Sequence, residues 1–422
     1  MTAKQVCSTG ADLRQCSEET TVYSLGKAAC RLAARGCAAL GLSAILLLAG
    51  CHNFFICEGK ADCPSSGGGG GGSTTSDWVY VSNAAVNSTS ISAYDIGNGS
   101  LAAISGSPYN IGFAPVAMVV SPSNAFLYAA TMSTAGNPGI YLFNINSTGQ
   151  LSSANGGNAL ITAQISTMDI SPDGNFLFTV DEAGSALTEY SINSSGLLAL
   201  ATSLPLPPTL CPLAGSPISQ TCTVKVAPSG QFVVASLGSA GTIIYPYSST
   251  QGITSTSPTL IGSGTTTSNP TGDYSVTLDK NNFIYIARTA ALAVYQITDA
   301  SGDATLQFNF PFSGTVTPRS VVLSLSQGYV YTANQGAGSI SAFTIGSSGT
   351  LTQVSGSPFT GPASVASIGT DKSGNYMVAV GYNGSSGLQL FTIGTTGGLT
   401  LITSAGEGTS TSTIPAILAL SH

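Results

Sequence analysis

From residue 77 onward the chain carries thirteen carboxylates, five cations (Lys225, Lys280, Arg288, Arg319 and Lys372) and a single histidine, His422, its last residue. Any chemistry must be assembled from that short inventory. Five of these charges fall at the ends of apolar runs, where a side chain can face a site. Asp181 and Glu182 follow FLFTV, Arg288 follows FIYIA, and Asp273 and Arg319 precede the runs YSVTL and SVVLS. A carboxylate there could activate water, and an arginine could hold an anionic or sugar-like ligand. The structural alternative is that Asp273 and Arg319 form an ion pair between neighbouring repeats while Asp181 and Glu182 are solvated loop residues. Structural ion pairs are commoner than sites, and the balance lies with that alternative. No G-x-S-x-G is present, and the only other histidine is His52, so a Ser–His–acid triad is excluded. Histidine-rich copper or zinc sites have no ligands either, and no metal or cofactor is expected.

These residues are positioned by a repeat. SPDGNFLFTV (171–180) recurs as SPSNAFLYAA, APSGQFVVAS, LDKNNFIYIA, SLSQGYVYTA and DKSGNYMVAV, with a truncated copy, WVYVSN, from Trp78. The aligned aromatics Trp78, Phe126, Phe176, Phe232, Phe283, Tyr329 and Tyr376 are 48, 50, 56, 51, 46 and 47 residues apart. Each unit reads as an apolar strand A, a turn, the aromatic strand B, an alternating strand C, a Gly turn and a weaker strand D. Period-2 alternation and frequent turns indicate antiparallel strands, and no 3.6-residue apolar stripe competes. Seven such units predict an all-β, seven-bladed β-propeller of four-stranded antiparallel blades. The first unit lacks strand A, and IPAILAL (414–420) is an orphan strand A at the other end. Pairing of that C-terminal strand with the N-terminal strands B–D closes the ring and removes an open edge. Pro115, Pro318 and Pro415 stand at strand starts, where a missing N–H is tolerated.

In a blade of this kind the D–A and B–C connections share one face, which is where the five charges fall. Asp169 and Lys225 form a second matched pair, midway along neighbouring A strands, and are expected to bond each other rather than stay buried alone. Asp299 and Asp303, in DASGD, lie on the opposite face; they lack the alternating oxygen ligands of a calcium loop and read as a solvated turn.

Only 7% of residues are charged, so Ser, Thr, Asn and Gly supply most of the polar surface. The net charge of −8 from residue 77 onward argues against nucleic-acid binding. Residues 77–422 are predicted to form one large domain, a monomer. Upstream, Lys27, Arg31 and Arg35 precede CAALGLSAILLLAG and then Cys51. A basic flank, a short apolar core and small residues before a cysteine read as a signal segment over 1–50. The apolar core is shorter than the roughly 20 residues a membrane span needs. LAGC resembles a bacterial lipobox, which implies lipidation at Cys51 and a membrane-anchored lipoprotein of the cell envelope; His52, in place of Asp, resembles outer-membrane sorting. Residues 51–76, with six consecutive glycines, then form a flexible tether. Export makes disulfides plausible for two close pairs, Cys57 with Cys63 and Cys211 with Cys222.

YVSN (80–83), YTAN (331–334) and the GSPY, GSPI and GSPF segments (106–109, 215–218, 356–359) resemble the YVTN repeat and the seven-bladed lactonase-like propellers, a group that includes bacterial 6-phosphogluconolactonase. The resemblance covers all seven repeats and implies the fold. Such enzymes use His, Glu and Arg on one propeller face, and here no interior histidine is present. The sequence therefore leans away from an enzyme, toward a module that binds an envelope protein or glycan, or a small ligand, through Asp181, Glu182, Asp273, Arg288 and Arg319. The alternatives are a lactone hydrolase using Glu182 or Asp273 as base and Arg288 or Arg319 as substrate clamp, and a purely structural surface protein.

Overall fold

The computed structural model describes residues 77–83, 89–131, 137–207, 222–262, 272–289, 291–313, 316–381, 387–406 and 416–422. The chain divides into two units, Met1–Gly72 and Ser73–His422, and every described residue belongs to the second. Cys51, Cys57, Cys63, Cys211, Ile414 and Pro415 lie outside the described residues. Among the described residues, no helix is long and apolar enough to cross a membrane.

Seven antiparallel sheets form the ring. The A strands of blades 2 to 7 are Pro115–Val120, Ile165–Ile170, Thr223–Val226, Asp273–Leu278, Pro318–Leu323 and Val365–Thr370. Leu418–Leu420 supplies strand A of blade 1 by pairing antiparallel with Trp78–Asn83. Each A strand packs against the next around a complete circle, with Leu418–Leu420 lying between those of blades 7 and 2. The predicted closure is therefore present. It is reinforced by Ser421, whose Oγ accepts the Trp78 N–H at 2.8 Å, and by His422, whose backbone N–H donates to Asn124 Oδ1 at 2.8 Å.

The turn that the chain keeps rewriting has a local reason. Its first side chain accepts the N–H of the aromatic that opens strand B: Ser121 from Phe126 at 3.1 Å, Ser171 from Phe176 at 3.0 Å, Ser324 from Tyr329 at 3.1 Å. Asp279 and Asp371 do the same for Phe283 and Tyr376. Each bond satisfies a donor that the turn would otherwise leave open, which fixes where strand B begins. Two of the three Gly-Ser-Pro segments are equally structural, and the third, 215–218, lies outside the described residues. Ser107 and Ser357 hydroxyls accept the Ala93 and Ala342 N–H groups, where strand D of blades 1 and 6 is interrupted.

Blades are joined by a second repeated device. The opening aromatic of strand B lies beneath a glycine in the C–D turn of the following blade. Gly149 covers Trp78, and a Cβ there would approach the indole to 2.8 Å; Gly196 covers Phe126, where the distance would be 3.0 Å. Gly349, Gly397 and Gly99 meet Phe283, Tyr329 and Tyr376 in the same way. Two residues along strand B, buried tyrosines donate to the same turns: Tyr80 to Gly149 O, Tyr128 to Gly196 O and Tyr331 to Gly397 O, at 2.9 to 3.0 Å. Each such bond contributes about 1 kcal/mol, with burial of the ring adding about 1.5–3 kcal/mol.

Candidate functional site

The A strands do not run straight into the face that carries the charges. In blades 2, 3, 5, 6 and 7 the pairing of A with B slips by one residue near the start of A. The extra residues are Val116, Ser166, Tyr274, Arg319 and Ala366. A bulge bends the strand and re-aims the extra side chain. Four of the five, all but Tyr274, line a cavity of about 270 Å³ on the ring axis, to which all seven A strands contribute. Its charged lining residues are Lys225 and Arg319. Much of the remaining polar lining is hydroxyl, and these groups stitch blades together: Ser275 Oγ accepts the Val321 N–H, and Thr167 Oγ1 the Val224 N–H.

The bulge overturns the expected pairing of Asp273 with Arg319. Asp273 occupies the ladder position that Pro318 fills in the next blade, whereas Arg319 corresponds to Tyr274. The register differs by one residue and the two charges part. Asp273 is fully buried and pairs within its own blade, its Oδ1 2.7 Å from Arg288 Nε. That contact is one of charge without hydrogen-bond alignment of the two atoms, while Thr242 Oγ1, from blade 4, donates to Oδ2 at 2.6 Å. The Arg288 guanidinium also donates to Gly262 O at 2.9 Å and Tyr295 Oη at 3.2 Å, and lies over the Tyr295 ring. Gly272 lets the chain enter this corner: at φ +71° it passes so near Gly238 O that a Cβ would come to 2.1 Å.

Arg319 is nearly buried. Its guanidinium carbon lies 4.6 Å from the centre of the Tyr274 ring, and Nε donates to Gln335 Oε1 at 2.8 Å. Asp273 and Arg288 are thus brought together, with Arg319 beside them across Tyr274. Among the described residues, no contact ties Asp181 or Glu182 to that group. Asp181 accepts the Ser185 and Ala186 N–H groups, at 2.6 and 3.0 Å, and serves its own turn. Glu182, only 8% exposed, differs: its carboxylate accepts no hydrogen bond from the described residues. The expected pair of Lys225 with Asp169 is present at 3.1 Å, and Asp169 also accepts the Val226 N–H. Asp299 serves the DASGD turn, accepting the Ser301 and Asp303 N–H groups. Among the described residues, no cluster of His, Cys, Asp or Glu could hold a metal ion. Cys222, at the channel wall, is disulfide-bonded.

Thr242, Tyr274 and Tyr295 complete the corner and carried no signal in the sequence, because only the bulge and the blade contact place them there. Glu189 was missed too. It is buried between blades 3 and 4, accepts the Ile253 N–H at 2.9 Å, and burial pushes its carboxyl up.

Burial likewise pushes the Asp273 carboxyl up to about 6, against the opposing pull of Arg288 and the Thr242 hydroxyl. The folded-state value exceeds the unfolded one, so this group's stabilisation is complete below about pH 3.8 and lost as pH rises through 6. The difference is on the order of 3 kcal/mol. The melting temperature of the wild type minus that of Asp273→Asn should therefore increase as pH falls from 7.5 to 4.5. A difference independent of pH would contradict this account of the corner.

The model of the family described as "Lactonase, 7-bladed beta-propeller" matches residues 250–367, from the C–D turn of blade 4 into strand A of blade 7. No curated protein matches the sequence. Among solved structures, a candidate 6-phosphogluconolactonase from Bacteroides fragilis is similar, with TM-score 0.66 and 16% identity, covering 83% of this chain and 99% of that one. One from Bacteroides uniformis gives 0.61 and 17%, covering 79% and 98%. A periplasmic gluconolactonase of Pseudomonas aeruginosa gives 0.58 and 15%, covering 82% and 99%. At such identities the likeness is one of fold. The chain is a seven-bladed β-propeller, matched by the lactonase family model over residues 250–367 and similar in fold to these proteins.

Proposed function

We propose that this propeller is a binding module of the cell envelope, anchored through Cys51, whose Arg319-bearing face takes an envelope protein or glycan, or a small anionic or sugar-like ligand. The observation that carries this reading is the state of Asp273. A general base needs a free oxygen within reach of water, and Asp273 is fully buried, with Oδ2 accepting from Thr242 and Oδ1 in charge contact with Arg288. Arg319, which lines the cavity on the axis with Lys225, supplies positive charge in a ring whose net charge is −8. That combination favours holding a ligand over turning one over.

The second reading is a lactone hydrolase, and two observations favour it. The family match and the lactonase neighbours supply the precedent, and Glu182 supplies a nearly buried carboxylate not committed to the described residues. In that case Glu182 activates water, and an arginine steadies the oxyanion.

The purified protein should give no acceleration of 6-phosphogluconolactone or gluconolactone hydrolysis above the spontaneous rate, and Arg319→Ala should weaken retention of any co-purifying ligand. Hydrolysis well above background that disappears in Glu182→Gln would replace the first reading by the second. The anchor is tested separately: Cys51→Ser should abolish fatty-acid labelling and release the protein from the membrane fraction. Labelling that persists in that variant would remove the anchor.

A further inference from the structure

Two of the seven blade junctions depart from the glycine cover. The glycine cover acts at five junctions, and between blades 3 and 4 the Tyr247 ring takes its place, 6.0 Å from Phe176 and edge-on. Between blades 4 and 5 neither is present over Phe232. The cause is one inserted residue. In blades 2, 3, 6 and 7 the C–D turn is closed by an N–H to carbonyl bond from Asn146 to Gln150, Asn193 to Leu197, Gly346 to Thr350 and Gly394 to Gly398. In blade 5 the corresponding bond runs from Thr298 to Asp303, one residue further. Gly302 consequently lands against Ile244, where a Cβ would come to 3.0 Å, and not over Phe232.

The displaced turn leaves a cavity of about 450 Å³ on the face opposite Arg319. Phe232 and Ile297, 4% and 7% exposed, lie with Pro246 at its base, and the exposed Gln231, Thr298 and Asp299 stand at the rim. The Gln231 side-chain carbonyl accepts from Asn282 Nδ2 at 2.8 Å, which leaves its NH₂ as a donor. Asp299 is the one acidic group lining the cavity, and no cation lines it.

We propose that this gap between blades 4 and 5 is a binding site for a neutral carbohydrate. The exposed amide, hydroxyl and carboxylate groups at the rim suit the hydroxyls of a pyranose ring, and the apolar base offers a small patch to its C–H face. The volume lies within the range of about 300–1,000 Å³ typical of small-ligand sites. Asp299, with no cation beside it, repels phosphorylated or carboxylated sugars. This site is separate from the arginine face and stands whichever reading of that face holds.

The test is saturation-transfer NMR on the intact protein with maltose, cellobiose and chitobiose, and with glucose 6-phosphate as the anionic arm. Transfer to at least one neutral disaccharide is expected, with none to glucose 6-phosphate. Ala300→Trp, an exposed change that fills the cavity, and Gln231→Ala, which removes the rim donor, should each lose the signal. Absence of transfer to all three disaccharides overturns the proposal, and so does equal transfer to the phosphate ester. Retention of the signal in Ala300→Trp with loss in Arg319→Ala would place the sugar on the other face and overturn it as well.

Discussion

An aromatic ring beneath a turn glycine joins most blades of this propeller to the next, and the repeat exists to supply both halves of that contact. Each unit must present its own aromatic at the start of strand B and offer a glycine to the aromatic of the unit before it. A side chain at the glycine would collide with the ring, and a smaller residue at the aromatic would leave a void, so neither half can drift alone. The hydroxyl of a tyrosine two residues further along locks three of the same turns. The ring then closes only if blade 1 is completed, and Leu418–Leu420 completes it.

That constraint is why the fold was legible in the sequence. The aromatics at near-constant spacing, the turn residues ahead of them and the orphan strand at the end are local features, each visible without knowledge of the rest. The charged corner was not legible to the same degree. Asp273 and Arg319 look aligned when the strands are laid side by side, but the bulge at Tyr274 and at Arg319 shifts the correspondence by one residue. Asp273 then faces Arg288, the last residue of its own strand B. A bulge depends on how a strand bends over the ring axis, and five unlike residues occupy the extra position, so no residue type announces it. Asp169 and Lys225 lie beyond the bulge, where register is regular, and their pairing was correctly anticipated.

Scarcity of charge gives the functional reading its shape. The described carboxylates are mostly spent on structure. Asp279 and Asp371 cap turns, Asp181 and Asp299 close their own loops, Asp77 pairs with Lys372 at 3.0 Å, and Asp273 is held by Arg288. Glu182 stands apart from them, which is why it is the residue on which a hydrolase would have to depend. The groove between blades 4 and 5 is the complementary case. There the structural device itself is missing, and natural proteins tend to depart from their own local rules where a site is made.

The central claim, that contact between glycine and aromatic holds the blades together, is tested most directly by comparing two alanine substitutions. Gly196 and Gly230 have similar backbone angles, φ +77° and +66°, but a Cβ at Gly196 would press on Phe126 and Leu142 whereas one at Gly230 would meet nothing within 4 Å. Backbone strain alone costs each variant about 1–2 kcal/mol. Gly196→Ala should lose a further 1–3 kcal/mol or so in denaturant unfolding, from overpacking at the blade junction. Equal destabilisation of the two variants would contradict the account.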